Sequence, residues 1–529
     1  MNREHMLGAL DERDVWDFIV VGGGATGLGV AIDAASRGYA TLLLEQDDFA
    51  KGTSSRSTKL VHGGVRYLQQ GNVSLVIEAL RERGLLLANA PHLVRNLSFV
   101  VPNYDWWEGP FYGIGLKMYD LLAGKQGLGR SKMLSRRRTL QLLPTLESDG
   151  LNGGVIYYDG QFDDARLAVA MALTAADHGA TVLNRVRVEG LLHNDAGEVS
   201  GVAARDVEAD RTYELRARAV VNATGVWSDG LRRMDDPGVE PVMVPSQGVH
   251  IVLDRDFLPG ESAIMVPKTE DGRVLFAIPW QERVVVGTTD TALDDAPLEP
   301  RAREEEIEFL LHHAALYLDR DPKREDVRSV WAGIRPLVGG SGDGEAGSTS
   351  ALSRDHSLII SNSGLVTITG GKWTTYRNMA EDTVDQAAVL AGLDERECVT
   401  KGLRIHGWHA RAHELGALAG YGTDAVAIRR LADEDASLAE RIHPGHAITG
   451  AQVVWAAREE MARGVEDVLS RRTRLLLLDA RAALDAAPRV AELLAAELGR
   501  DEAWTEAEVV RFRELAEGYL PTGRAGEVV

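Results

Sequence analysis

The sequence predicts an α/β chain in three parts: a parallel sheet wound with helices, a strand-rich second domain and a helical C-terminal domain. Three observations predict it. The apolar run Asp17-Phe18-Ile19-Val20-Val21 leads directly into Gly22, Gly24 and Gly27 and an Ala-rich stretch. Short β-branched runs (181–183, 219–221, 249–253, 284–286 and 365–368) alternate with segments of helical period (25–37, 73–89, 165–178 and 373–390), and strands dominate 241–338. Beyond Gly402, Ala, Leu, Arg and Glu fill segments such as 451–461, 472–483 and 490–498, as in packed helices.

The first strand, turn and helix form a Rossmann-like unit. The first glycine permits the tight turn, the second removes a Cβ that would hold the backbone away from a pyrophosphate, and the third lets helix and strand pack closely. A dinucleotide pyrophosphate then rests on the helix N-terminus. The next apolar run, Thr41-Leu42-Leu43-Leu44, ends in Glu45, placed about 20 residues after the glycines, where a carboxylate accepts hydrogen bonds from the adenosine ribose. A glycine-rich surface turn would lack this register of strand, helix and acid.

Three further stretches favour a flavin over a nicotinamide. The hydroxyl-rich segment from Thr53, Ser54 and Ser55 to His62-Gly63-Gly64 suits a loop laid on a polar ring, with Arg66 and Tyr67 adding a cation and a phenol. The strand ending in Asn222-Ala223-Thr224-Gly225 lets main chain approach a bound dinucleotide a second time. Thr369-Gly370-Gly371-Lys372-Trp373-Thr374-Thr375-Tyr376 is a glycine turn leading into a helix, whose N-terminus carries about half a positive charge. Aimed at a flavin, that charge stabilises the anion formed when N5 accepts a hydride. A solvated loop, an ordinary strand-turn and a surface lysine are the plainer readings of the three.

A chain of 529 residues exceeds what one core organises, so two or three domains are expected. The single cysteine, Cys398, excludes an intramolecular disulfide and a CxxC redox pair, so electrons must move through a cofactor, and no metal is expected. Residues 1–14 lack the apolar core of a secretory signal, and nothing approaches the roughly 20 apolar residues that span a bilayer. The expected location is the cytoplasm, with a peripheral position on the cytoplasmic face of a membrane left open. A net charge of −21 argues against nucleic acid. One segment departs from this: Lys117, Lys125, Arg130, Lys132, Arg136, Arg137 and Arg138 face a single acid, Asp120, just after Trp106, Trp107, Phe111, Tyr112 and Tyr119. Aromatics beside cations suit an anionic headgroup layer; a substrate-entry loop or a solvated helix face fits equally. Residues 339–348 read as a flexible loop.

The chain resembles the FAD-dependent glycerol-3-phosphate dehydrogenases, within the wider D-amino-acid-oxidase-like flavoproteins. The resemblance runs over residues 14–400 through the glycine motif, the segment Thr53 to Leu68, Asp163-Asp164-Ala165-Arg166-Leu167, Asn222-Ala223-Thr224-Gly225, Ile278-Pro279-Trp280, Gly287-Thr288-Thr289-Asp290, Gly333-Ile334-Arg335-Pro336-Leu337 and Gly370-Gly371-Lys372. It continues into the helical part at 455–461 and 467–474. Trp373 departs from it, standing where a smaller or aliphatic residue is expected.

The resemblance implies a Rossmann-like FAD-binding domain from residues 14–100, 150–240 and 350–395, a substrate-binding domain from 101–149 and 241–349, and a helical C-terminal domain over 400–529. It implies oxidation of sn-glycerol 3-phosphate to dihydroxyacetone phosphate by hydride transfer from C2 to flavin N5, with electrons passed to a quinone. FAD contacts carried over are Gly22, Gly24, Thr26, Gly27, Glu45, Thr53, Ser54, Ser55, His62, Gly63, Gly64, Val186, Ala223, Gly225, Gly370, Gly371, Lys372 and Thr374. The substrate site carried over is Arg66, Tyr67, His250, Arg335 and Lys372. Guanidinium matches phosphate oxygens bidentately, which favours Arg335 and Arg66 for the phosphate. His250 is the expected base, with an ordinary pKa of about 6.5, and Lys372 is its rival; a hydrogen-bonded core histidine is the plain alternative. Rival functions are an oxidase using O2, a non-catalytic flavin sensor and an amine oxidase. A homodimer is left open.

Overall fold

The computed structural model describes residues 1–65, 68, 72–105, 108–267, 269, 273–339 and 356–521. The expectations for Arg66, Tyr67, Trp106, Trp107 and the loop at 340–348 fall outside those residues.

The run before the glycines forms the strand Trp16–Val21, paired in parallel with Thr41–Leu44 on one side and with Arg211–Asn222 on the other. Thr181–Leu183 and Val366–Gly370 extend this parallel sheet at its two ends, and His356–Ile360 adds an antiparallel edge. Such strands are buried on both faces. Phe18 and Val20 pack against the helices Ala25–Ser36, Asp164–Asp177 and Tyr376–Leu390. Ile19 and Val21 face the opposite layer, an antiparallel ribbon of Val186–His193, Val199–Asp206 and the first half of Arg211–Asn222. The helix expected over 373–390 begins instead with the tight turn Trp373–Thr375.

The second sheet is mixed. Met243–Asp254 lies between Ser329–Val338 and Arg283–Gly287, antiparallel to both. The sheet continues through Leu275–Trp280, Ser262–Val266, Val94–Asn103, Gly153–Phe162 and Leu60–Val61. Val94–Asn103 and Gly153–Phe162 thus pair here, although both lie mostly on stretches expected in the dinucleotide-binding part. One face of the sheet buries Val249, Ile251 and Leu253 under the helix Glu304–Ala315. Alternation turns Gly248, His250 and Val252 to the other face.

That other face is the scaffold of the site. At one end Val252, Trp280, Val285 and Trp331 join the core of the C-terminal helices Gly450–Glu459, Ala480–Leu498 and Glu502–Ala516. The segments expected at 472–483 and 490–498 are divided differently. A left-handed residue, Arg474 (φ 66°), precedes the short helix Leu475–Leu478, and the N-cap Asp479 starts a single helix that runs through Pro488. Its buried stripe of Ala483, Ala486, Ala487, Val490, Ala491 and Leu494 outweighs the one hydrogen bond that proline removes.

Candidate functional site

Two adjoining cavities occupy the space between the sheets. The first, about 350 Å³, follows the glycine turn. Gly22 has φ 111°, and a Cβ there would lie 2.6 Å from the Ala223 carbonyl oxygen. A Cβ on Gly27 would overlap the Gly22 carbonyl oxygen, so no larger residue lets this helix approach the strand. Gly24 is the N-cap of Ala25–Ser36 and offers no side chain to the first-turn N–H groups. The Ala25 N–H instead donates to Ser54 Oγ at 2.9 Å, which ties the hydroxyl-rich loop to the helix end. The carboxylate of Glu45 accepts from Gly23 N at 2.7 Å and Asp47 N at 2.8 Å, and burial pushes its pKa up to about 7.

Thr26, Thr53, Val186, Ala223, Gly225, Gly370 and Gly371 also line this cavity. A phosphate-ready helix end, a ribose-ready carboxylate and a turn with two successive left-handed glycines (Gly370, φ 77°; Gly371, φ 69°) fit the donor and shape requirements of FAD. His62, Gly64 and Thr374 line the second cavity, where a flavin ring would reach. Gly27, Ser55 and Gly63 line neither. Ser55 is buried with its carbonyl accepting from Lys59 Nζ at 2.8 Å, and Gly63 donates its N–H to the Tyr119 hydroxyl at 2.8 Å. Trp373 donates from its indole to the Ser54 carbonyl at 3.0 Å and packs edge-on against Phe162, so the larger residue braces the loop.

The second cavity, about 310 Å³, meets the first at Thr53, Pro336, Gly371, Lys372 and Trp373. Its polar wall is the open part of the second sheet's inner face. Cross-strand pairing sets Ser246, Gly248 and His250 opposite Arg335, Gly333 and Trp331. Glycine at 248 leaves room for the Arg335 guanidinium, which a Cβ would overlap. Arg335 donates to Thr289 O at 2.9 Å and to Thr288 Oγ1 and Asp290 Oδ1, both at 3.1 Å. The cation expected to hold phosphate is therefore already fixed in place, and partly neutralised, by Asp290.

His250 is 2% exposed and stacks on Trp331, with ring centroids 4.1 Å apart. Its Nε2 lies 3.0 Å from Thr58 Oγ1. Burial, then the charges of Lys59 and Arg335, hold its pKa well below the usual histidine value, so the ring is neutral at working pH. Lys372 lines both cavities. The remaining wall combines the apolar Leu60, Val65, Phe99, Tyr157, Met265 and Phe276 with charged side chains, Asp159 and Arg273 among them.

Behind this wall lies a buried charge cluster whose roles are not legible in the sequence. Asp164 accepts from Lys59 Nζ at 2.7 Å, Ser57 Oγ at 2.8 Å, Ser57 N at 3.0 Å and Arg474 Nη2 at 2.8 Å. Lys59 and Asp164 are both fully buried. Burial brings the Lys59 pKa down to about 7; burial alone would raise Asp164, but Lys59 and Arg474 hold it below the usual range. Arg474 and Lys59 also donate to the Ser55 carbonyl at 2.7 and 2.8 Å. Arg56 is tied to Glu299 at 2.7 Å and to the Tyr519 hydroxyl at 3.3 Å. The one signal that could have pointed here is a lysine and an aspartate inside apolar, hydroxyl-rich motifs, because buried charges need partners.

A model of the FAD dependent oxidoreductase family matches residues 17–377, and one of the C-terminal domain of alpha-glycerophosphate oxidase matches 364–505. The mitochondrial glycerol-3-phosphate dehydrogenase of Mus musculus is 41% identical, across 98% of this chain and 75% of that protein. The mitochondrial glycerol-3-phosphate dehydrogenase of Arabidopsis thaliana is also 41% identical, across 99% and 89%. Among solved structures, glycerol-3-phosphate dehydrogenase from Bacillus halodurans complexed with FAD is similar with a TM-score of 0.80 at 30% identity, over 99% of each chain. L-alpha-glycerophosphate oxidase from Mycoplasma pneumoniae with FAD bound shares the fold, with a TM-score of 0.58 at 17% identity over 74% of this chain and 98% of that one.

Proposed function

The chain belongs to the FAD-dependent glycerol-3-phosphate dehydrogenases, and from that premise we propose how its two cavities divide the reaction. It is an FAD enzyme that oxidises sn-glycerol 3-phosphate to dihydroxyacetone phosphate. FAD supplies the hydride acceptor, N5 of its ring. Gly22, Gly24, Thr26, Glu45, Ser54 and Val186 hold the ADP half in the first cavity. Gly370, Gly371, Lys372 and Thr374 hold the ring where the cavities meet. That meeting point is what supports the reading: the cavity lined by the glycine turn opens onto a wall bearing His250 and Arg335.

Arg335 binds the phosphate, its guanidinium prepositioned by Thr288, Thr289 and Asp290. His250 is the proton acceptor. Its neutral imidazole has a lone pair available, and arrival of a phosphate dianion offsets the positive charges of Arg335 and Lys59 that disfavour the imidazolium. Lys372 lies where the two cavities meet and contacts substrate there.

The electron acceptor in this reading is a quinone, and the apolar side chains of the second cavity, Val65, Phe99, Met265 and Phe276, support it. A membrane surface supplies such an acceptor. The helix Glu108–Ala123 turns Phe111, Ile114, Met118 and Leu121 to solvent at three- and four-residue spacing, with Leu121 81% exposed, and Lys117, Lys132 and Arg136 to Arg138 lie nearby in the chain. We infer that this face docks on anionic headgroups. Among the described residues no helix is long and apolar enough to cross a membrane.

Purified holoenzyme given sn-glycerol 3-phosphate and a water-soluble quinone is expected to form dihydroxyacetone phosphate and reduced quinone in equal amounts. Hydrogen peroxide formed in air at the same rate, without quinone, would assign oxygen as the acceptor. Sedimentation with vesicles containing phosphatidylglycerol is expected to weaken when Arg136, Arg137 and Arg138 are changed to Glu; unchanged sedimentation contradicts the docking face.

A further inference from the structure

We propose that Thr58 is a catalytic residue: its hydroxyl takes the proton of the substrate's C2 hydroxyl and passes its own proton to Nε2 of His250. The inference rests on the reading above and adds a residue to it. His250 is almost wholly enclosed, with one ring face covered by Trp331. Its Nε2 is occupied by the Thr58 hydroxyl at 3.0 Å, and its Nδ1 is buried with no partner among the described residues. Thr58 and His250 both line the substrate cavity, but Thr58 is the more accessible of the two, only half-buried. A substrate hydroxyl therefore meets Thr58 on its way to the imidazole, and direct contact with Nε2 would require displacing it.

The loop carrying Thr58 is held as a positioning device. Its neighbours on both sides, Ser57 and Lys59, are anchored to the same carboxylate, Asp164. Lys59 adopts φ 64°, a left-handed conformation that a non-glycine residue keeps only when its surroundings enforce it. Arg474, from the C-terminal helices, completes the anchor through Asp164 and the Ser55 carbonyl. On the sheet side, glycine at 287 leaves space for the edge of the ring, since a Cβ there would overlap His250 Cδ2. The hydroxyl and the imidazole are thus fixed from two independent directions.

The step balances. The C2–O–H bond breaks as Thr58 Oγ1 gains that proton; the Thr58 O–H bond breaks as Nε2 gains its proton; the C2 hydride leaves with its electron pair to the flavin, and the C2–O bond becomes a carbonyl. Thr58 ends as it began.

Anaerobic rapid mixing of holoenzyme with sn-glycerol 3-phosphate tests the relay, using Thr58→Val, which keeps the shape, and Thr58→Ser, which keeps the hydroxyl. Thr58→Val is expected to slow flavin reduction by roughly 10²- to 10⁴-fold, as for loss of a proton-transfer group, while substrate affinity changes little; Thr58→Ser restores most of the rate. The double variant Thr58→Val with His250→Asn is expected to be no slower than the slower single variant, as for groups acting as one unit. In the protein without substrate, the Nε2 resonance of ¹⁵N-labelled His250 is expected to move in Thr58→Val. Reduction of Thr58→Val at the wild-type rate, or losses that multiply in the double variant, would overturn the relay. A wild-type holoenzyme that sn-glycerol 3-phosphate does not reduce would overturn the functional reading and the relay with it.

Discussion

The two cavities are built by different means. The dinucleotide cradle is made largely of main chain: one strand, one turn and one helix supply Gly22, Gly24 and Gly27, and Glu45 directly follows the next strand. The substrate wall is made of side chains on alternate positions of neighbouring strands, backed by a loop and by an arginine from the far end of the chain. Main-chain recognition needs side chains to be absent. Side-chain recognition needs charges to be held in place, and here that is done by burying Lys59, Asp164 and Arg474 together. The first construction fails by steric intrusion, the second by loss of a partner.

The largest expected effect is therefore in the cradle. Gly27→Val places a branched side chain on the Gly22 carbonyl, and the protein is expected to emerge colourless, with FAD absorbance near zero, while circular dichroism retains the helical signal. Full flavin content in that variant would break the comparison.

Next comes the buried cluster. Asp164→Asn removes the buried ion-pair partner of Lys59 and Arg474 and is expected to cost about 3–5 kcal/mol in urea unfolding. A loss below about 1 kcal/mol, the size of an exposed pair, would mean that the cluster carries no such weight.

Arg335→Ala removes charge-assisted hydrogen bonds of about 1.5–3 kcal/mol, so the KM for sn-glycerol 3-phosphate is expected to rise roughly 10- to 150-fold with FAD content unchanged. Equal losses of substrate and FAD affinity would blur the division between the cavities.

The smallest effect lies at the seam with the C-terminal part. His406 bridges Asp177, at 2.6 Å, and Asp424, at 3.0 Å; burial works against its charge, but the two carboxylates outweigh it and raise its pKa to about 9. A raised pKa stabilises the fold fully below the unfolded value of about 6.5 and loses that contribution as pH climbs through about 9. His406→Gln is expected to lower stability by about 1 kcal/mol at pH 6, allowing for its partial exposure, and by almost nothing at pH 10. A gap independent of pH would assign the contact to packing.

The same contrast explains what the sequence reveals. The helices 25–37 and 73–89 follow from local period and form over Ala25–Ser36 and Val73–Asn89, and the glycine spacing and the acid at Glu45 are legible because they answer a local steric and register need. His250 and Arg335 are legible as residue types, but their adjacency depends on the register that sets Met243–Asp254 against Ser329–Val338. Thr58 and the Lys59, Asp164 and Arg474 cluster depend on contacts between distant segments, which neither composition nor periodicity encodes. Ser55 and Gly63 sit in a motif that lines the cavities, and their own partners, Arg474 on the Ser55 carbonyl and the Tyr119 hydroxyl on the Gly63 N–H, likewise come from distant segments.

A flavin ring seated where the two cavities meet would face a wall built to grip a phosphate ester. Anaerobic mixing tests it most directly. sn-Glycerol 3-phosphate is expected to bleach the oxidised flavin absorbance in a single turnover, while glycerol at the same concentration leaves it intact. Equal bleaching by glycerol would take the phosphate grip away from Arg335, and no bleaching by either would take the flavin away from this site.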